Sequence, residues 1–99
     1  MAFLARFSQM GMTIDKYNES VRLLEAAGCG APAGRLYHVC FGDKSNVSVS
    51  DIWDTTENFE AFGKTLMPIL HQLGVDPGQP EIIEVQNIIA GAKTLAAER

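Results

Sequence analysis

Cysteine, tryptophan, proline and basic residues are all scarce in this chain of 99 residues. Two cysteines are too few for a disulfide-stapled scaffold or for a metal site with four cysteine ligands. Eight lysines and arginines against twelve acidic residues give a net charge of −4, which argues against a nucleic-acid partner because such proteins normally carry a basic stripe. No window of the sequence approaches the roughly 18 apolar residues of a membrane span, so we expect no membrane partner.

The composition that remains is that of an ordinary folded domain. Hydrophobic residues make up 46% of the chain and charged residues 20%, so neither a disordered nor a collagen-like chain fits. This length suffices for one domain and leaves no room for a second, so we expect a single domain over residues 1–99. The first apolar stretch contains Arg6, whereas a signal peptide carries its positive charge before the apolar run. We therefore expect a cytoplasmic protein.

Two helices are predicted from apolar residues that recur at helical spacing behind an N-capping threonine. Thr13 precedes the stripe Ile14, Tyr17, Val21 and Leu24, and Thr55 precedes the stripe Phe59, Phe62, Leu66, Ile69, Leu70 and Leu73. Gly28 and Gly74 are expected to end these helices. Pro68 lies inside the second helix, where it removes one backbone hydrogen bond and is expected to bend the helix.

Four strands are predicted from short apolar or alternating runs bounded by turn residues, over residues 2–9, 35–41, 47–53 and 81–89. The Ala-rich tail over residues 90–99 is expected to form a short terminal helix. The order strand, helix, strand, strand, helix, strand predicts an α+β fold of the ferredoxin-like type. In this topology an antiparallel four-stranded sheet carries both helices on one face, and its second and fourth strands are the edges.

The predicted strands are apolar on both faces, although two helices can cover only one face of a four-stranded sheet. In the second strand Tyr37, Val39 and Phe41 alternate with Leu36 and Cys40. A half-solvated antiparallel sheet normally has a polar outer face, and a bare apolar patch of this size is rare on a monomer. A second copy of the sheet would cover this face and protect the edge strands, so we expect a homodimer.

Several runs of residues resemble small bacterial members of the dimeric α/β barrel superfamily. These runs are Gly34–Val39, Asp51–Thr55 with Phe59 and Phe62 in the helix that follows, Leu73–Val75 and Val85–Ile89. The superfamily includes antibiotic-biosynthesis-type monooxygenases, stress-responsive barrel proteins, muconolactone isomerase and heme-degrading monooxygenases. The resemblance covers nearly the whole chain and implies a barrel closed by the sheets of two chains. It does not select one activity, because this scaffold hosts unrelated chemistries.

His38 and Asp51 are the candidate catalytic residues. Each lies in the middle of an otherwise apolar strand, and a hairpin that closes around Lys44-Ser45 would place the two directly opposite each other. The carboxylate would then orient the imidazole and strengthen it as a general base. The alternative is a satisfied polar pair in the core without a catalytic role.

Trp53 and Asn87 are the candidate substrate-binding residues. Trp53 would share the face of His38 and Asp51 and stack on a flat substrate, although a single tryptophan at the start of a helix is more often a core residue. Asn87 follows Gln86 at a place where related proteins often have a His-Asn pair. Asn87 would either hydrogen-bond a ligand or satisfy backbone groups at the edge of the sheet.

We expect no cofactor and no metal. The chain lacks glycine-rich nucleotide-binding motifs and lacks the cysteine and histidine spacings of metal sites. In heme-degrading relatives a histidine lies early in the second helix, where this chain has Phe62-Gly63-Lys64; this difference argues against heme. His71 comes later in the helix and is expected to face solvent, and Cys40 is expected to be an inert strand residue.

The leading functional hypothesis is a homodimeric barrel with a small apolar pocket between sheet and helices. The pocket would bind a small aromatic or otherwise apolar molecule, and an enzyme of this kind would resemble cofactor-independent monooxygenases or isomerases. The alternative is a non-catalytic barrel, structural or stress-related, whose pocket is filled by its own side chains. A vacant cavity that touches both His38 and Asp51 would favour the first hypothesis.

Overall fold

A four-stranded antiparallel sheet carries two helices on one of its faces, as the sequence predicts. The computed structural model describes residues 1–8 and 10–91. Its elements are β1 (Phe3–Phe7), α1 (Ile14–Ala26), β2 (Arg35–Asp43), β3 (Asn46–Trp53), α2 (Thr56–Gln72) and β4 (Glu81–Glu84). The strand order is β2-β3-β1-β4, so the second and fourth strands are the edges. The predicted ferredoxin-like α+β fold is confirmed.

Both helices begin at the predicted threonine caps. The side-chain oxygens of Thr13 and Thr55 accept hydrogen bonds from the backbone N–H groups three residues later, at 3.2 and 3.1 Å. Helix α1 ends at Ala26, two residues before the predicted stop at Gly28. Helix α2 runs without interruption past Pro68, which faces solvent; the predicted bend at this residue stays a prediction.

The β2–β3 hairpin has the register on which the candidate site depends. Lys44 and Ser45 form the connection between the two strands, and His38 lies directly opposite Asp51. The ladder is irregular between Arg35 and Tyr37, where Leu36 is an extra residue, and such a bulge turns the preceding residue to the other face of the sheet. The predicted pairing of His38 with Asp51 is confirmed.

Strand β4 is shorter than predicted. It ends at Glu84 rather than at Ile89, because its only neighbour is the five-residue strand β1. Glu84 pairs with Phe3, and the backbone N–H of Val85 donates to the carbonyl of Ala2 at 3.1 Å. Beyond this point the described residues offer β4 no further strand for pairing. The predicted terminal helix does not include residues 90 and 91, and its remaining part lies outside the described residues.

The core lies between the sheet and the two helices in two clusters. One contains Met10, Met12, Val47, Leu70 and Val75, and the other contains Ala5, Leu24, Trp53 and Phe62. The opposite face of the sheet is uncovered, and apolar side chains on it are exposed: Tyr37, Phe41 and Ile83 remain 55%, 43% and 44% exposed. The Arg6–Glu81 ion pair lies on the same face. Among the described residues no helix has the length and apolar character needed to cross a membrane.

Candidate active site

Three side chains from three elements form a hydrogen-bonded line in the core of the site. Asp51 on β3 is almost fully buried, and its Oδ1 lies in very short contact with Nδ1 of the His38 imidazole on β2. The opposite ring nitrogen, Nε2, lies 2.6 Å from the hydroxyl of Tyr17 on α1. The Tyr17 and His38 rings are almost parallel, with centroids 5.9 Å apart. His38 is therefore fixed at both ring nitrogens.

Helix α1 is tied to the β2–β3 hairpin just before Tyr17. The backbone N–H of Ile14 donates to the carbonyl of Lys44 at 2.8 Å, and the N–H of Val47 donates to the carbonyl of Met12 at 2.8 Å. These two bonds anchor the first turn of the helix above the hairpin. Tyr17 follows one turn later, so its hydroxyl reaches His38.

The partners of His38 determine how the ring carries its proton. An ionised carboxylate can only accept hydrogen bonds, so Nδ1 of the neutral ring donates its proton to Asp51. Nε2 then has a lone pair, which accepts the proton of the Tyr17 hydroxyl. In this state the ring can gain a proton only at Nε2, and the positive charge that results lies against the Asp51 carboxylate. This is the arrangement of an oriented general base.

A cavity of about 170 Å³ lies against these groups. Its wall is mostly apolar, and its polar members are Tyr17, Ser20, Arg35, His38 and Asp51. An adjoining groove of about 380 Å³ shares Asp51 with the cavity and extends between α2 and the loop that leads to β4. Cavities of about 150 Å³ can admit a benzene molecule, so this one has room for an aromatic ring.

Trp53 and Asn87 do not line the cavity. Trp53 is fully buried in the core and packs against Phe59 and Phe62, with ring centroids 5.8 and 5.3 Å away. Its indole N–H is buried without a hydrogen-bond partner among the described residues. Asn87 is exposed beyond the end of β4. The structure thus brings together the two predicted catalytic residues and leaves the two predicted binding residues outside the cavity wall.

Three polar residues of the cavity, Tyr17, Ser20 and Arg35, are not identified from the sequence. The helical spacing places Tyr17 on the apolar face of α1, and its hydroxyl on that otherwise apolar face is the signal that could identify it. The sequence places Arg35 only at the start of a strand. In a regular strand Arg35 and His38, three positions apart, would point to opposite faces, and the bulge at Leu36 brings them to the same one.

The other predicted reactive groups lie away from this chemistry. His71 is exposed on α2, as expected. Cys40 lies on β2 against the first core cluster, and burial raises the pKa of its thiol, which disfavours the nucleophilic thiolate. Among the described residues no group of three or more histidine, cysteine or acidic side chains is placed to hold a metal ion.

No family model matches the chain, and no curated protein matches it in sequence. Solved structures do match its fold. SnoaB, a cofactor-independent oxygenase from Streptomyces nogalater, is 14% identical with a TM-score of 0.57, over 91% of this chain and 96% of that protein. This chain shares the ferredoxin-like α+β fold of that protein.

Two further structures of this type agree. A candidate antibiotic biosynthesis monooxygenase from Chloroflexus aurantiacus is 13% identical with a TM-score of 0.54, over 91% of this chain and 97% of that one. Another from Bacteroides thetaiotaomicron is 17% identical with a TM-score of 0.53, over 95% and 94% of the two chains. At these identities the likeness establishes the monooxygenase-type fold and carries no residue of the site from one protein to the other.

Proposed function

We propose that this protein is a cofactor-independent enzyme, a monooxygenase or isomerase, that removes a proton from a small aromatic or apolar substrate. The observation that carries the proposal is the hydrogen-bonded line Tyr17–His38–Asp51 at the wall of a mostly apolar cavity. The monooxygenase-type fold, which the chain shares with a cofactor-independent oxygenase, supports it.

The proposed first step is proton transfer through Tyr17 to His38. The Tyr17 oxygen takes a proton from an acidic C–H of the substrate while Tyr17 gives its own proton to Nε2 of His38, 2.6 Å away. Asp51 stabilises the imidazolium that forms. The apolar wall excludes water and strengthens these charge interactions. The step needs a substrate whose carbanion is stabilised by an adjacent carbonyl or aromatic ring.

The carbanion then determines the outcome. In the oxygenase reaction, dissolved O₂ adds to the carbanion carbon to give a peroxide, which takes the proton back from His38. Loss of water, which breaks the O–O bond and removes the second hydrogen of the same CH2 carbon, then leaves a carbonyl, so one oxygen atom enters the product and the other leaves as water. In the isomerase reaction, the proton returns to a different carbon and O₂ is not consumed. Both reactions use the same base.

The alternative is a non-catalytic barrel whose interior is filled by its own side chains. The cavity of about 170 Å³ beside His38 and Asp51 favours the enzyme, because a packed interior would leave no space there.

We also propose that two copies of the chain assemble through the uncovered sheet face. This face exposes large apolar side chains, and the edges of the sheet, β2 and β4, have no further strand beside them in the described part of the chain. A second copy offers an identical apolar face, and closed two-fold assemblies are the commonest solution for such a surface. We place the dimer in the cytoplasm, where the free thiols of Cys29 and Cys40 are stable.

The test uses 2,3-dihydro-1,4-naphthoquinone, the keto form of a simple quinol, as the probe. Without oxygen, the wild-type protein should accelerate exchange of the probe's C–H protons with deuterium. In His38→Gln this exchange rate should fall by about 100-fold or more. With isotopically labelled O₂, oxygenation should give labelled 2-hydroxy-1,4-naphthoquinone and one water per turnover. Lys64→Gln, an exposed change on α2, is the control. Rates in wild type equal to those in His38→Gln would overturn the proposal.

A further inference from the structure

Arg35 is the only lysine or arginine among the described residues that line the cavity. Its guanidinium carbon lies 5.5 Å from the centroid of the Phe62 ring on α2, and one of its N–H groups donates to the carbonyl of Gly30 at 3.3 Å. These two contacts hold the guanidinium from two sides. The cation is thus positioned by the fold and not only by its place in the sequence.

No carboxylate of the described residues forms an ion pair with this cation. Among the described residues the ion pairs are Arg6 with Glu81, Arg22 with Glu19, and His38 with Asp51. The Asp51 carboxylate also borders the cavity, but it is engaged by the imidazole of His38. A guanidinium has five N–H donors in a fork that matches a carboxylate or another anionic oxygen. Within the described part of the chain, the side chain of Arg35 donates only to the Gly30 carbonyl.

The bulge at Leu36 sets the distance between this cation and the base. Arg35 and His38 lie opposite Trp53 and Asp51, which are two residues apart on β3. Two residues span about 7 Å along a strand. A planar molecule with an anionic oxygen at one end and an acidic C–H at the other therefore matches the two groups on this face.

We propose that Arg35 binds an anionic oxygen of the substrate, so that the cavity takes a planar aromatic molecule carrying a carboxylate or an ionised hydroxyl. This proposal rests on the proposed function only in taking the cavity as the substrate site. The net charge of −4 repels anions from the chain as a whole. Affinity for an anionic ligand must therefore come from a local cation, and Arg35 is the one that the cavity offers.

The test compares ligands that have the same shape and differ in charge. Binding of benzoate and benzamide, and of 1-naphthoate and 1-naphthamide, is measured at pH 7.5 by changes in backbone amide NMR shifts. For at least one pair, the wild-type protein should bind the carboxylate about tenfold more tightly than the amide, as expected for a charge-assisted pair. Arg35→Gln should remove this preference, and Arg35→Lys should retain part of it.

Arg22→Gln is the matched control, because Arg22 is exposed on α1 and lies outside the cavity wall; it should keep the preference. Equal affinities for carboxylate and amide, absence of binding by all four probes, or a preference that survives in Arg35→Gln would each overturn the proposal. The proton-exchange experiment is independent of these outcomes. A protein that binds carboxylates through Arg35 but fails to exchange protons would contradict the proposed catalysis and leave the anion site standing.

Discussion

The hydroxyl of Tyr17 is hydrogen-bonded to Nε2 of His38, the ring nitrogen that would otherwise face a substrate. The distance of 2.6 Å is that of a strong hydrogen bond, so in the proposed reaction the substrate would meet the tyrosine before the histidine. Under that proposal Tyr17 is the third functional side chain of the site as well as a packing residue of α1. A hydroxyl between substrate and base can pass a proton only if it donates and accepts in the same step.

Removal of the Tyr17 hydroxyl should separate proton transfer from packing. We expect Tyr17→Phe to lower the proton-exchange rate by about tenfold or more, because the relay between substrate and Nε2 is lost. Stability should fall by only about 1 kcal/mol, the usual worth of one hydrogen bond. Deuterium exchange and urea unfolding measure the two effects. A rate unchanged from wild type would show that the hydroxyl takes no part in the transfer.

The Asp51–His38 contact should determine which ring nitrogen of His38 carries the proton. Nitrogen NMR of neutral His38 should show a proton on Nδ1 and none on Nε2. Asp51→Asn should keep the fold and reduce the exchange rate, because the anion that stabilises the imidazolium is gone.

His38→Ala should destabilise the protein by roughly 1–3 kcal/mol, because it leaves the buried Asp51 carboxylate without its partner. Chemical unfolding of this variant provides the measurement.

If Asp51→Asn leaves the nitrogen shifts of His38 unchanged, the two residues do not touch and the site must be abandoned.

At the scale of elements, the loop before β2 is built on a glycine in the left-handed region. Gly34 has φ of +84°, and a Cβ at this position would lie 2.3 Å from the Asp54 carboxylate and 2.4 Å from the Asn58 side-chain nitrogen. The carbonyl of Gly34 also accepts the backbone N–H of Asp54 at 2.9 Å. This close approach joins the start of β2, and therefore Arg35, to the start of α2.

Gly34→Ala should be costly for this reason. We expect a loss of about 1–3 kcal/mol in unfolding free energy, from backbone strain together with the collision. Gly78→Ala is the matched control, because Gly78 also has a positive φ but has open space where the Cβ would lie; its loss should be smaller. Urea unfolding of both variants gives the comparison. Equal losses would show that the contact with Asp54 and Asn58 is not tight.

The contact between Asp54 and Asn58 at the start of α2 makes the stability of the protein depend on pH. A hydrogen bond from the Asn58 side chain, 3.0 Å long, lowers the pKa of Asp54. The bond therefore contributes stability above about pH 4, the usual pKa of an aspartate in an unfolded chain. That contribution is lost as the pH falls through the lower pKa that Asp54 has in the folded state.

Asn58→Ala should accordingly be less stable than wild type at neutral pH, and the difference should shrink below about pH 4. Thermal melts at a series of pH values measure it. Asn18→Ala, a change of the same type at an exposed position of α1, should show a difference from wild type that does not vary with pH. A pH-independent difference for Asn58→Ala would contradict the assigned role of Asp54.

At the scale of the whole molecule, the uncovered sheet face predicts the solution assembly. Light scattering at micromolar concentration should give the mass of two chains. The double variant Tyr37→Glu, Phe41→Glu places charges on this face and should give a folded monomer. Met67→Glu, at an exposed apolar residue of α2, should leave the dimer intact. A monodisperse wild-type monomer would remove the argument for a barrel.

Features that depend on neighbours in sequence could be predicted from the sequence. The helix caps at Thr13 and Thr55 are local hydrogen bonds over three residues. The hairpin register follows from a short connection and from alternation of buried residues, because a shift by one residue would turn every side chain to the wrong face. This is why the pairing of His38 with Asp51 could be predicted before any coordinates.

Features that depend on docking between distant segments were decided only by the tertiary structure. Tyr17 meets His38 across 21 residues of sequence, and Arg35 joins them because a bulge at Leu36 turns it to the helix side. Strand β4 ends where β1 offers no further partner. By itself the sequence determined the order of elements, their caps and the His38–Asp51 pair, since these depend on local periodicity and on a short hairpin connection. The cavity, its third polar group and its cation arise from how helices pack on a sheet, which no local pattern encodes.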